Sequence, residues 1–248
     1  MKHSPLSEKH KALGAKMADF GGWEMPIEYP GGGVLAEHDA VRNRVGIFDV
    51  SHLGKISITG PGAKAYINSV LTNDLEKISD GQAQYNLLCN DSGGVIDDII
   101  AYCNSKDDIF LVPNAANCSK VFEVLKKSAP ADLNIVNQHE EYAVIAVQGP
   151  ESKHLLEALG LNLDIEYMSF MHAEIAGCKV IVCRTGYSGE LGFEVLPKWS
   201  EAGKVWDALV SKIGDGLICG LGARDTLRTE MGYPLHGNEL SESISANV

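Results

Sequence analysis

The sequence predicts an α+β fold, mixed β-sheets with helices packed on them, and three observations predict it. First, two stretches share a plan. Lys55–Pro61 is a β-rich run that ends in Gly60-Pro61 and leads into a helical pattern at Ala65, Tyr66, Val70 and Leu71; Ala143–Pro150 ends in Gly149-Pro150 and leads into Leu155, Leu156 and Leu159. Proline suits the first turn of a helix, where its missing N–H costs nothing, so both read as strand, Gly-Pro, helix and suggest two related α+β halves. Second, a further unit of this kind runs from Phe110-Leu111-Val112-Pro113-Asn114 into a helix over Val121–Lys127. Third, 248 residues at 45% hydrophobic and 22% charged allow one large or two small cores without covalent staples.

The elements follow in order. The first fifty residues read as loop-rich, because Phe20–Pro26 and Tyr29–Gly33 are glycine and proline punctuation around aromatic side chains. A helix is predicted over Val34–Val45, where Val34, Leu35, His38, Val41, Arg42 and Val45 recur at spacings of three and four. Gly46–Gly54 then turns into a strand over Lys55–Thr59. Further strands are predicted at 85–90, 95–103, 133–136, 173–184 and 190–196. A helix covers Ser200–Ile213, another starts within Gly220–Arg228, and Tyr233–Leu240 reads as a loop. Residues 1–240 form the folded region, with a subdomain boundary near 140, and residues 241–248 are a polar tail.

Composition narrows the function. A formal charge of −12 argues against broad binding to nucleic acid or to an anionic membrane. The six cysteines, Cys89, Cys103, Cys118, Cys178, Cys183 and Cys219, include no C-x-x-C pair, so spacing suggests neither a metal site nor a redox dithiol. No apolar run approaches the roughly 20 residues that cross a bilayer, and Met1-Lys2-His3-Ser4-Pro5 lacks the apolar stretch of a secretory signal. A soluble cytoplasmic protein with reduced thiols is expected.

Four segments carry candidate chemistry. In Ser92-Gly93-Gly94-Val95-Ile96-Asp97-Asp98-Ile99-Ile100, two adjacent carboxylates sit between a glycine turn and an apolar strand. Strand alternation points them to opposite faces, so at least one lies close to the core, where burial can set its protonation; read alone, the segment favours a solvated turn whose aspartates bond local backbone N–H groups. Phe48-Asp49-Val50-Ser51-His52 holds Ser, His and Asp too close along one strand to converge as a triad, and turn hydrogen bonds are the expected use. Arg184–Glu194 is a glycine-spaced loop returning into a strand, either a plain β-turn with an aromatic lid or a ligand loop. Its glycines lack the spacing and the following Lys-Ser or Lys-Thr of a nucleotide cradle. Ala223-Arg224-Asp225 at a helix start is either a local charge pair or an arginine presented to a carboxylate.

Together these segments resemble the aminomethyltransferase, or T-protein, family of the glycine cleavage system. Phe20-Gly21-Gly22-Trp23-Glu24-Met25-Pro26, Phe48–His52, Gly93–Asp98, Asn114-Ala115-Ala116-Asn117, Gln148-Gly149-Pro150, Arg184–Glu190 and Gly220–Asp225 look like the family's signatures in its order, over about residues 3 to 240. The resemblance implies a folate-binding body of two interlocked mixed-sheet subdomains with packed helices. Members continue into a C-terminal β-barrel domain, which the resemblance implies is lacking here. It also implies a tetrahydrofolate-dependent transferase of glycine catabolism and one-carbon metabolism that needs no metal. Its partners would be a lipoylated H-protein, whose aminomethyl group it takes, and tetrahydrofolate, with ammonia released; neither nucleic acid nor membrane is a partner.

Carried over by position, the resemblance makes Asp98 the catalytic acid against N10 of the folate. Glu194 becomes the acceptor for the pteridine's amino edge, Tyr187 an aromatic wall, and Arg224 the partner of the folate's acidic end. Tyr85 and Asn114 match further cavity residues. Leu191 stands where many members have an acid. Two rival readings share the scaffold. One is another folate-dependent one-carbon enzyme, such as a demethylase or the folate domain of a dimethylglycine or sarcosine dehydrogenase. The other is the non-catalytic folate-binding relative that assists iron–sulfur assembly, whose Lys-Gly-Cys-Tyr-x-Gly-Gln-Glu motif is replaced here by Arg184-Thr185-Gly186-Tyr187-Ser188-Gly189-Glu190.

Overall fold

The computed structural model describes residues 1–245. Its opening segment is more regular than its punctuation predicts. β1 (Lys2–His3) is followed by α1 (Ser7–Ala12), β2 (Lys16–Phe20) and β3 (Trp23–Glu28), and the strands form a sheet in the order β1-β3-β2. The glycines of Phe20-Gly21-Gly22-Trp23 are therefore a hairpin turn and not an open loop, since Phe20 and Trp23 face each other across it. α2 (Gly33–Asn43) matches the predicted helix, and β4 (Gly46–Asp49) is a fully buried strand where a turn was expected.

The next stretch holds β5 (Ile56–Thr59), α3 (Ala63–Val70), β6 (Gln82–Cys89), β7 (Val95–Ser105), β8 (Asp108–Val112), α4 (Cys118–Ser128) and β9 (Asn134–Asn137). Then come β10 (Ile145–Gln148), α5 (Ser152–Glu157), β11 (Phe170–Ile175), β12 (Cys178–Cys183), β13 (Gly192–Pro197), α6 (Ala202–Val210), β14 (Leu217–Cys219) and α7 (Leu221–Glu230). The run 173–184, expected as one strand, is two. Ala176 and Gly177 both adopt positive φ, 52° and 74°, and fold the chain back so that Ile175 faces Cys178.

The chain divides into two compact units, each built from separate segments: Met1–His52 with Glu141–Tyr233, and Leu53–Glu140 with the residues from Pro234 onward. The first contains a six-stranded sheet in the order β11-β12-β13-β10-β4-β14, antiparallel except for the β4–β14 pair. One face carries Ile47, Ile145, Val147, Val180, Val182, Phe193 and Val195, and it packs on Leu155 and Leu156 of α5 and Val205, Trp206 and Leu209 of α6. Each such side chain contributes roughly 1.5–3 kcal/mol by leaving water. At the end of β4 a buried polar chain ties the amino terminus down. Asp49 accepts hydrogen bonds from His10 Nε2 (2.8 Å), the Ser51 N–H (2.9 Å) and the Ser4 hydroxyl, and Tyr29 meets the other nitrogen of His10 at 2.8 Å. Burial alone would raise the Asp49 carboxyl, but these donors outweigh it and hold it below the usual range.

The second unit is a five-stranded antiparallel sheet, β6-β7-β8-β5-β9. Ile56, Ile58, Ile99, Ala101, Ile109 and Leu111 line the face covered by Tyr66 and Ile67 of α3 and Val121 and Leu125 of α4. Its last residues, expected as a polar tail, dock on the start of β7. The Val95 N–H donates to Ser241 O (2.8 Å), Val95 O meets His236 Nε2 (3.0 Å), and Gly94 bridges to Ser245. The second glycine of the pair is explained by that approach, since a Cβ at residue 94 would run into the Glu242 carbonyl. Gly94→Ala is therefore expected to cost about 1–3 kcal/mol, the usual penalty for forcing extra volume into a packed site. An unchanged denaturation midpoint would show that residues 241–245 do not sit there.

Candidate functional site

Two groups of predicted residues lie in different units. In the second unit, Asp97 and Asp98 occupy β7 just after a register shift at Leu88/Cys89. Asp97 shares its face with the core residues Ile99 and Ala101 and is completely buried, whereas Asp98 shares the other, half-buried face with Ile100 and, across the pair, with Leu87 and Tyr85. The loop after β8 reaches both acids. Asn114 donates from its backbone N–H to Asp97 Oδ2 (2.9 Å), and its amide nitrogen stands 3.0 Å from Asp97 Oδ1 and 2.6 Å from Asp98 Oδ1. Asn117, one turn on, donates to Asp97 Oδ1 at 2.7 Å, and the Tyr85 hydroxyl donates to Asp98 Oδ2 at 3.2 Å.

Electrostatics separates the two acids. Burial pushes Asp97 up to about 6, against the pull of the Asn117 and Asn114 donors, and the neighbouring Asp98 charge adds to the rise. Asp98 is also raised by burial, while Asn114, Tyr85 and the nearby His236 pull it down. Asp97 thus secures the loop, and Asp98 is the acid on an accessible face.

In the first unit, register does the selecting. Ala146 pairs with both Glu194 and Phe48, and Cys183 with Glu194, so these side chains stand in one row on the face opposite Ile145, Val147 and Val195. Glu194 is half-buried there and accepts from the Thr185 hydroxyl at 2.5 Å. Burial raises its carboxyl, and the Thr185 bond and the Arg224 charge draw it back. Arg224, on the first turns of α7, lies over the Tyr187 ring at 4.2 Å, and Tyr187 stacks on Tyr233 with centroids 5.9 Å apart. Tyr187, Glu194, Arg224, Phe48 and Gln148 line one small cavity. A roomier groove of about 870 Å³ lies further along the same face at Ile181, Leu196 and Lys198, and it holds none of the predicted residues.

The Arg184–Glu190 loop keeps its shape through Gln148. Its amide donates to Thr185 O (3.3 Å) and Phe193 O (3.2 Å) and accepts from the Ser188 hydroxyl (2.7 Å), and Gly186 and Gly192 leave it the space that a Cβ would fill. Thr185, Gln148, Asn117 and Tyr233 escaped the sequence reading as site residues. Only Asn117 had a usable signal, its i, i+3 spacing from Asn114.

The fold agrees with comparison to known proteins. A model of the GCVT N-terminal domain family matches residues 6–247. The chain belongs to the aminomethyltransferase family of the glycine cleavage system. Within that family it is 59% identical over 247 residues to an aminomethyltransferase of Parafrankia sp. (strain EAN1pec), covering 99% of this chain and 68% of that one. The Mycobacterium bovis aminomethyltransferase is 57% identical over 98% of this chain and 66% of its own. The chain thus spans about two thirds of the length of these family members. The crystal structure of the glycine cleavage system aminomethyltransferase T from Bartonella henselae superposes with a TM-score of 0.90 at 33% identity, covering 98% of this chain and 66% of that one. A heterotetrameric sarcosine oxidase from Corynebacterium sp. U-96, at 12% identity and TM-score 0.55, shares the fold alone.

The raised Asp97 has a sign that can be checked. Its folded-state pKa of about 6 lies above the ordinary 3.8, so between those values the folded protein binds more protons than the unfolded one, and stability falls as pH rises. A shift of that size corresponds to about 3 kcal/mol. Asp97→Asn is expected to lower stability overall, because an amide oxygen replaces a carboxylate that accepts three N–H bonds, and to flatten the stability profile between pH 4 and 6. Parallel unfolding curves across that range test it, and an identical slope in parent and variant would contradict it.

Proposed function

We propose that this chain transfers the carbon of an aminomethyl-lipoyl group, carried by an H-protein, to tetrahydrofolate. The carbon leaves its sulfur and its amine and bonds to both folate nitrogens, and the two N–H protons lost from the folate end on the departing sulfur and the departing amine. The observation that carries this reading is Glu194: a half-buried carboxylate on the non-core face of a sheet, with a hydroxyl donor on it and an arginine and an aromatic pair around it. A carboxylate so placed accepts the paired N–H groups of a pterin edge, and the stacked Tyr187–Tyr233 pair supplies aromatic surface beside it. Arg224 favours the ionised form of Glu194, the form that accepts two N–H groups.

Asp98 is assigned to the reacting amine. Attack by a folate nitrogen sheds a proton, and a carboxyl raised by burial accepts one more readily near neutral pH than an exposed acid does. Tyr85 and Asn114 aim it through their hydrogen bonds. The six cysteines are all free thiols, five of them buried, which suits a reducing cytoplasm. Identities of 57–59% to chains named aminomethyltransferase favour this reading over a demethylase or a non-catalytic folate binder.

Two experiments test it. Glu194→Gln should weaken tetrahydrofolate binding by roughly 1.5–3 kcal/mol, the scale of a charge-assisted hydrogen bond, and unchanged affinity by calorimetry would remove Glu194 from the pocket. Asp98→Asn should depress turnover with lipoylated H-protein far more than Asp97→Asn, once each rate is corrected for folded fraction. Equal losses would mean that the wrong carboxylate has been chosen, and preferred turnover of an N-methyl donor would move the chain to the demethylase reading.

A further inference from the structure

We propose that Arg42 is a positioning residue of the Glu194 pocket, fixing the separation between the loop that carries Tyr187 and the helix that carries Arg224. The proposal rests on the folate reading of that pocket. Arg42 projects from α2, and its planar guanidinium divides its donors between two elements. Nη1 donates to the Ser188 carbonyl at 2.6 Å and to Glu190 Oε1 at 3.1 Å; Nη2 donates to the Leu227 carbonyl at 3.3 Å and to Glu230 Oε2 at 2.8 Å, and Nε joins Glu230 at 3.0 Å. Ser188 follows Tyr187 directly, and Leu227 lies three residues beyond Arg224 on the same face of α7.

One rigid group therefore spans the two backbones whose side chains meet when Arg224 lies 4.2 Å over Tyr187. The loop is held from its other side by the Ser188 hydroxyl on Gln148. Arg42 itself is mostly covered, with its side chain 20% exposed, while Glu190 and Glu230 at 30% and 56% sit toward water and neutralise it from the rim. The outer ion pairs are screened by solvent, but the carbonyl contacts set geometry. A lysine at this position keeps the charge but is a point donor that cannot hold both carbonyls in one plane.

The test is calorimetric titration of tetrahydrofolate into the parent chain and into R42K, R42M, E230Q and E194Q, with a thermal unfolding curve for each. A positioning role predicts that R42K and R42M raise Kd at least tenfold while stoichiometry stays near one site, and that E230Q changes Kd by less than twofold. A purely structural role predicts the opposite pattern in the Arg42 variants, a reduced number of sites with parental Kd, and that result overturns the proposal. R42K keeps the stem and the charge, so it remains informative if R42M does not fold, and parental Kd in folded R42K is equally fatal. If E194Q binds as the parent does, the folate reading falls and takes this proposal with it; if E194Q weakens binding and R42K does not, only the role of Arg42 is wrong.

Discussion

The pairing of Ala146 with Glu194 across β10 and β13 sets which face of the six-stranded sheet each neighbouring side chain takes, because successive residues of a strand alternate and a slip of one would exchange the faces. In the observed register Ile145, Val147, Phe193 and Val195 meet α5 and α6, while Glu194 stands on the other side next to the small Ala146. A one-residue slip of β13 would turn Glu194 in among aliphatic side chains and turn Phe193 and Val195 out, so the same hydrophobic burial that builds the core also delivers the acid to its pocket. Tyr187 and Arg224 then need only a loop and a helix seated on that face.

Acids in this chain divide by how they are satisfied. Glu37 is buried and accepts the N–H groups of Tyr29 (2.6 Å) and Gly220 (2.8 Å), so it anchors the approach to α7; Asp49 and Asp97 each accept three bonds in full burial. These are structural carboxylates, whose removal leaves donors stranded. Glu194 and Asp98 differ in being half-buried, each oriented by side-chain donors but still facing accessible surface. A buried acid with its acceptors filled organises the backbone, and a half-buried one held in place is available to a ligand.

The sequence showed the architecture where periodicity and punctuation agreed. α2, α3 and α4 lie where spacings of three and four put them, and both Gly-Pro turns precede helices. It misled where punctuation was ambiguous. The glycines at 21 and 22 close a hairpin, and Ala176 takes the left-handed conformation that nothing in its residue type announces, so a hairpin read as one strand. Short β4 and β14 lack the length for an alternation signal and are held by their neighbours. Asp97 and Asp98 stood out because charge inside an apolar run is conspicuous. Arg42 and Gln148 could not stand out, because what matters about them is which distant backbone they hold, 37 to 185 residues away, and no local pattern encodes that.

The order of strands also bears on how the chain is made. β4 ends at residue 49, but its neighbours are β10, from Ile145, and β14, from Leu217. During synthesis the residues of β4 emerge with neither edge partner and wait for about a hundred more to follow, while Leu53–Glu140 supplies every strand of the second sheet in one continuous stretch. Vectorial folding therefore favours the later-starting unit, and the first sheet closes around an apolar segment, Gly46-Ile47-Phe48, that lacks both strand partners until then. The strand that waits longest for its partners is thus the one that presents Phe48 to the pocket, so the pocket's floor is completed only after residues 145–148 and 217–219 have been made.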